Sequence, residues 1–201
     1  MARGSDGRRM LDRDTWTLAG LAEEVRNGTS LSALLEGRPV LIVHRGDPND
    51  EIVINTPSQA DLEAQRADLA KTASAGDETQ VSLGANPMVE LAQPHHRVIS
   101  LIKSDRNPFS GMITVGRARN NDVCINSANV SKIHCFLHQK EGAWWLEDNS
   151  STNGTLLNED YLEGKTDRPL QSGDEIVFGG TATLFLDAAG LKAILELVPT
   201  A

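Results

Sequence analysis

The chain has 201 residues, 39% of them hydrophobic and 23% charged, which is ordinary globular usage. Its formal charge is −9, and neither residues 1–87 nor residues 88–201 have the basic surplus that binding to nucleic acid needs. The two cysteines form no C-x-x-C pair, and the sequence has neither an apolar leader nor 18 consecutive apolar residues, so we expect a cytoplasmic protein without a disulfide framework or a membrane span.

The first part of the chain predicts a small helical or mixed α/β segment over residues 1–80, of uncertain fold. Its first 14 residues are charged and are expected to be disordered. Apolar spacing and capping residues predict three helices, and short apolar runs predict two strands. The helices are expected over 16–26, 30–37 and 56–71, and the strands over 40–43 and 51–54. A small, polar stretch at about 72–87 predicts a linker.

The pattern changes from about residue 96, where short β-rich runs alternate with turn residues. The runs are HRVISLI, GMITVG, DVCI, KIHCFLHQ, AWWLED, TLLN, DEIVFG and TATLFL. Many short strands of this kind predict an antiparallel β-sandwich over residues 88–187. Residues 188–201 are expected to form a closing helix and tail, because the apolar residues of 187–198 recur at helical spacing. The fold class is therefore mainly β.

Three motifs follow one another in this β-rich part: GRARNND at 116–122, VSKIH at 130–134 and DNSSTNGTLLN at 148–158. In this order they resemble the forkhead-associated (FHA) domain. The resemblance covers about residues 88–187. It implies a two-sheet β-sandwich whose end loops bind phosphothreonine peptides.

The residues themselves suit that ligand. Phosphothreonine carries a charge of about −1.5 to −2 and three strong acceptor oxygens. Arg117 offers a bidentate cationic donor, Ser131 a hydroxyl and Lys132 a second cation, while Asn153 can both donate to and accept from a peptide main chain. A local basic pocket in an acidic protein favours a compact dianion over a long polyanion.

The resemblance implies specific roles for these positions. Arg117, Ser131, Lys132 and Thr152 would contact phosphate, and Asn153 would hold the peptide. Five further residues are expected to structure the loops: Gly116, Asn120, Asp122, His134 and Gly154.

The chain departs from the family pattern at three positions. Lys132 stands where arginine is common, which keeps the charge but loses the planar fork. Ser150 and Glu159 stand in loops where glycine is usual. These changes are expected to affect affinity or specificity while the phosphate-binding set stays intact.

Neither a metal site nor catalysis is expected from the conspicuous histidines. Strand alternation would turn Cys135 away from His134 and His138, so the three should not converge on a metal. Ser131 and His134 lack an orienting acid at a recognisable spacing. We expect no cofactor and no enzyme activity.

The expected function is phosphothreonine-dependent protein binding in serine/threonine kinase signalling, with phosphoproteins or a kinase as partners. Two alternatives remain: a phosphate-independent scaffold that uses the same fold, and an enzyme within residues 1–87. Thr79 follows two acidic residues in the linker and resembles the phosphorylatable threonine of some small bacterial FHA regulators. The corresponding hypothesis is that phospho-Thr79 occupies the pocket of its own chain.

Overall fold

The computed structural model describes residues 15–43 and 92–199. Within these ranges twelve strands form two sheets, and three helices cover one of them. The strands are β1 (Thr15–Thr17), β2 (Val40–Val43), β3 (Arg97–Ser100), β4 (Met112–Gly116), β5 (Val123–Cys124), β6 (Cys135–Lys140), β7 (Ala143–Asp148), β8 (Thr155–Leu157), β9 (Asp160–Tyr161), β10 (Asp167–Leu170), β11 (Glu175–Phe178) and β12 (Thr181–Leu186). The helices are α1 (Leu18–Arg26), α2 (Leu31–Leu35) and α3 (Ala188–Leu197).

The two sheets form the predicted sandwich. One has seven strands in the order β1-β3-β2-β12-β11-β8-β9, and the other has five in the order β10-β7-β6-β4-β5. Pairing is antiparallel except between β4 and β5, which run parallel. The mainly β fold class, the C-terminal helix and the small helical N-terminal part are confirmed.

Side-chain alternation along the strands produces two cores. On β2, Leu41 and Val43 point between the sheets, while Val40 and Ile42 point to the outer face of the seven-stranded sheet. The helices cover that outer face with buried apolar residues, among them Leu21, Leu35, Leu191 and Leu195. The result is three layers, two of strand and one of helix.

Capping side chains mark the starts of α1 and α3. The Thr17 hydroxyl accepts a hydrogen bond from Gly20 N at 3.1 Å, which caps α1. The Asp187 carboxylate caps α3 by accepting from Gly190 N at 2.8 Å, and this bond is the main cause of the lowered pKa of Asp187. No described helix is long and apolar enough to cross a membrane.

The division of the chain into an N-terminal segment and a sandwich over residues 88–187 stays a prediction. The pairing of β2 is relevant to it. Strand β2 lies inside the seven-stranded sheet, between β3 and β12. The sandwich therefore draws on residues ahead of 88. The helix expected at 56–71, the strand at 51–54, the linker and Thr79 lie outside the described residues.

Candidate functional site

The predicted binding residues lie on three loops that leave the five-stranded sheet at one end. Val115 of β4 pairs with Cys135 at the start of β6, and Cys135 pairs with Asp148 at the end of β7. The chain after β4, before β6 and after β7 therefore meets at the same edge. The loops are residues 117–122, 125–134 and 149–154.

Hydrogen bonds join the first two loops. Arg117 N donates to Ser131 O at 3.0 Å, and Ala118 N donates to Lys132 O at 3.2 Å. These main-chain bonds hold Arg117 beside Ser131 and Lys132.

The third loop is joined to the second by side chains. Ser131 Oγ accepts from Thr152 N at 3.0 Å and lies 3.3 Å from Thr152 Oγ1. Asn153 Nδ2 donates to Asn129 O at 2.7 Å. The structure thus brings all five predicted phosphopeptide-binding residues to one surface.

The buried His134 side chain joins the second and third loops by hydrogen bonds. Its Nδ1 accepts from Ser131 N at 3.0 Å, so Nε2 carries the proton and donates to Gly154 O at 3.1 Å. The ring is fully buried and stands edge-on to Phe178, and burial lowers its pKa. Because the imidazole bonds the main chain of Ser131 and not its hydroxyl, it is not placed to activate that hydroxyl.

Two glycines leave room that a side chain would fill. A Cβ on Gly116 would overlap Lys132 O and lie 2.9 Å from Asn121 Nδ2. Gly154 has φ +76° and would direct a Cβ into the ring of Tyr161. Both glycines therefore permit the close approach of neighbouring loops.

Asp122 organises the loop that carries Arg117. Its side chain is fully buried. It accepts hydrogen bonds from Thr114 N at 2.8 Å and from Ser104 N at 2.7 Å, and it pairs with Lys103 at 3.0 Å. Burial alone would raise the pKa of Asp122, but the hydrogen bonds from Ser104 and Thr114 outweigh it and hold the pKa far below its usual range.

Asn120 was predicted to structure its loop through its side chain, but the bond observed involves its main chain. Its main-chain carbonyl accepts from Asn107 Nδ2 at 3.2 Å. The neighbouring Asn121, which the sequence analysis did not single out, is buried and bridges two loops by donating to Ala118 O at 2.8 Å and Lys132 O at 2.6 Å. Three successive polar residues signal such a loop without indicating which one turns inward.

Asp148 is a second organising residue that the sequence analysis missed. It is buried at the end of β7, accepts from Ser151 N at 2.9 Å and accepts from the Thr155 hydroxyl at 2.6 Å. The sequence pattern that could have indicated it is an aspartate directly ahead of a polar turn. In that position the side chain can bond the main chain two or three residues further on. Asp148 fixes the loop that carries Thr152 and Asn153.

Two of the three departures from the family pattern, Ser150 and Glu159, lie where the backbone has a positive φ. Ser150 has φ 53°, and Asn158 and Glu159, in the turn between β8 and β9, have φ 50° and 69°. These values lie in the left-handed region that favours glycine. The backbone adopts this conformation at all three positions although none of them is glycine.

His134 and Cys135 lie close together, so the prediction that strand alternation separates them was wrong. His134 precedes β6, so strand alternation does not apply to it, and ligand atoms of His134, Cys135 and Asp148 lie within 4.8 Å of one another. Both nitrogens of His134 are nevertheless hydrogen-bonded, and burial raises the pKa of the Cys135 thiol. Neither residue is prepared to ligate a metal. Both described cysteines are free thiols.

The exposed part of the site is cationic and rich in hydrogen-bond donors. Arg117, Lys132, Thr152 and Asn153 are exposed, and Ser131 is half-buried. Among the described residues, neither the Arg117 guanidinium nor the Lys132 ammonium is in an ion pair. Two uncommitted cations beside fixed loops suit a compact anion.

Comparison with known proteins agrees with this architecture. A family model for the FHA domain matches residues 113–179. The oxoglutarate dehydrogenase inhibitor of Corynebacterium glutamicum is 30% identical over 129 residues, which cover 60% of this chain and 84% of the inhibitor. The chain belongs to the FHA-domain family.

Another curated relative matches a much smaller share of its own length. An FHA domain-containing protein of Arabidopsis thaliana is 36% identical over 76 residues, covering 37% of this chain and 20% of that protein. Among solved structures, the N-terminal FHA domain of Saccharomyces cerevisiae Rad53p in complex with a phosphothreonine peptide is 25% identical, with a TM-score of 0.39 over 48% of this chain and 88% of that one. The FHA domain of CT664 from Chlamydia trachomatis is 15% identical, with a TM-score of 0.42 over 75% and 97%.

Proposed function

We propose that this protein binds phosphothreonine-containing partners through the three loops that carry Arg117, Ser131 and Asn153. The observation that supports it most directly is the hydrogen-bonded joining of these loops, which holds two exposed cations beside short polar donors. Membership of the FHA family gives the same assignment. FHA domains are interaction modules, and the proposal assigns no catalytic step to this chain.

Each residue has a physical role in this proposal. Arg117 makes charge-assisted bonds to two phosphate oxygens, and Lys132 adds a second positive charge. Ser131 and Thr152 supply hydroxyl donors, and Asn153 bonds the peptide main chain. Because the loops are already held together, little conformational entropy is lost when the ligand binds.

The partners that suit such a site are substrates of a serine/threonine kinase or the kinase itself. Recognition of phosphorylated motifs by clusters of arginine and lysine is a recurring mode of binding. A cytoplasmic location fits these partners and stays a prediction.

The test is binding of the full chain to a phosphothreonine peptide library, with phosphoserine and unphosphorylated libraries alongside. We expect selective binding to phosphothreonine peptides. Arg117→Ala should weaken it by about 1.5–3 kcal/mol, roughly ten- to a hundredfold in Kd, since a charged hydrogen-bonding group is lost.

Arg168→Ala is the matched control, because Arg168 is also an exposed arginine but lies on the edge strand β10. It should leave binding unchanged. Equal binding to phosphorylated and unphosphorylated libraries would remove the proposal and favour the phosphate-independent scaffold.

A second candidate function comes from the two relatives that align over most of their length. The oxoglutarate dehydrogenase inhibitors of Corynebacterium efficiens and C. glutamicum are 28% and 30% identical to this chain, and the alignments span 84% of each. This chain would then bind and inhibit an oxoglutarate dehydrogenase. Adding the purified chain to that enzyme and following its turnover tests the idea; unchanged turnover at saturating chain opposes it.

Self-binding through phospho-Thr79 stays a hypothesis, because Thr79 lies outside the described residues. It requires phosphate on Thr79 after kinase treatment, which mass spectrometry detects.

A further inference from the structure

A second cluster of ionisable residues lies on the outer face of the five-stranded sheet, apart from the binding loops. It consists of His138 on β6, Glu147 on β7 and Asp167 at the start of β10. All three side chains are half-buried, and their ligand atoms lie within 4.8 Å of one another. No sequence motif indicated this cluster, because its members come from three separate strands.

The cluster places two carboxylates together. Asp167 and Glu147 are direct partners in the register of β10 and β7, and like charges in such positions destabilise a sheet. Among the described residues, the basic group that pairs with Asp167 is the His138 imidazole, with Nε2 3.6 Å from Asp167 Oδ2. The nearby Lys140 lies over the ring of Trp145, with Nζ 4.9 Å from its centroid.

The nitrogens of His138 are not committed to hydrogen bonds. Nδ1 is buried and has no partner among the described residues, and the contact of Nε2 with Asp167 is longer than a hydrogen bond. His134 is the contrasting case, because both of its nitrogens bond main-chain groups. The His138 imidazole, which is 15% exposed, and the two carboxylates therefore offer three neighbouring ligand atoms to a cation.

The geometry points to a divalent-metal site formed by His138, Glu147 and Asp167. Two ligands of a tetrahedral Zn²⁺, each about 2.1 Å from the metal, lie roughly 3.4 Å apart. The separation of 3.6 Å between His138 Nε2 and Asp167 Oδ2 is close to that value. One imidazole and two carboxylates suit zinc, cobalt or manganese.

The metal would act on the sheet, not on the phosphopeptide loops. Asp167 opens the edge strand β10, and His138 lies two strands away, on the far side of β7. A shared ion would therefore tie β10 to β6 and neutralise the paired carboxylates. Because a ligand that binds only the folded chain stabilises it, the melting temperature should rise when the metal binds.

The test uses Zn²⁺ as the probe, titrated calorimetrically into the full metal-free chain. We expect His138→Gln, Glu147→Gln and Asp167→Asn each to lower zinc affinity by about tenfold or more, since loss of even an outer-shell partner has an effect of that size. At the same zinc concentration the melting temperature of the wild type should rise more than that of each variant.

His95→Gln is the matched control, because it removes a half-buried histidine from the segment that precedes β3 in the other sheet. It should keep both zinc responses. Melting curves in chelator show that each variant folds. The assignment is overturned if zinc neither produces heat nor raises the melting temperature, or if all three variants bind zinc as the wild type does.

Discussion

We expect Asp122 to contribute strongly to the stability of the fold. Its buried carboxylate accepts hydrogen bonds from two main-chain nitrogens and from several side chains. Asp122→Asn replaces one carboxylate oxygen with an NH2 group, which would then face hydrogen-bond donors that it cannot accept from. We expect it to lower the free energy of unfolding at pH 7 by about 2–4 kcal/mol. Denaturant unfolding measures the change, and Asp105→Asn, an exposed aspartate in the neighbouring turn, should change it little.

The pH dependence of this effect has a definite sign. The folded pKa of Asp122 lies below its usual value of 3.8, so the folded state favours the ionised form. The stabilisation is complete above about pH 5 and declines as the pH falls through 3.8 toward the folded pKa. The difference between wild type and Asp122→Asn should therefore be smaller at pH 3 than at pH 7. An equal difference at both values contradicts this account.

At the scale of elements, local sequence patterns predicted most of the strands but did not indicate which strands pair with one another. AWWLED and TATLFL became β7 and β12 with the expected limits. The proline in Asp167–Leu170 hid β10, which is an edge strand, where proline is tolerated. For β2, the partners are residues 97–100 and 183–186, which no local pattern links to residue 40.

For the candidate site too, local motifs indicated some residues, whereas residues whose role depends on long-range contacts were missed. Motif spacing indicated Arg117, Ser131 and Asn153, because these residues lie within the three motifs that resemble the FHA domain. It missed Asn121 and Asp148, whose importance arises from burial and from hydrogen bonds to other loops. The cluster of His138, Glu147 and Asp167 depends on strand order, which the sequence did not reveal.

The position of β2 predicts that a chain beginning at residue 88 will not fold. That truncation removes Val40, Leu41, Ile42 and Val43, whose burial is worth about 6–12 kcal/mol at about 1.5–3 kcal/mol each. A whole domain is stable by only about 5–15 kcal/mol. Circular dichroism should show no cooperative melting for residues 88–201, whereas a chain of residues 15–201 should melt like the full protein. A cooperative transition in the shorter chain contradicts this assignment of β2.

On the scale of the whole molecule, the binding loops present positive charge on a chain whose formal charge is −9. In the proposed complex the phosphate would contact Arg117 and Lys132 at short range, whereas an approaching peptide first meets the electric field of the entire protein. Long-range charge affects mainly the association rate, and contacts in the complex set the dissociation rate. Residues outside the contacted part of the peptide should therefore alter how fast it binds.

Two phosphothreonine peptides with the same central sequence, one with lysine-rich and one with glutamate-rich ends, test this expectation by stopped-flow fluorescence. At low salt the basic peptide should associate about tenfold faster, within the range known for electrostatic steering. At 0.5 M salt the Debye length falls to about 4 Å, and the two association rates should converge while the dissociation rates stay similar. Unphosphorylated peptides with the same ends control for nonspecific attraction. Equal association rates at low salt would mean that the positive loops outweigh the negative charge of the rest of the protein.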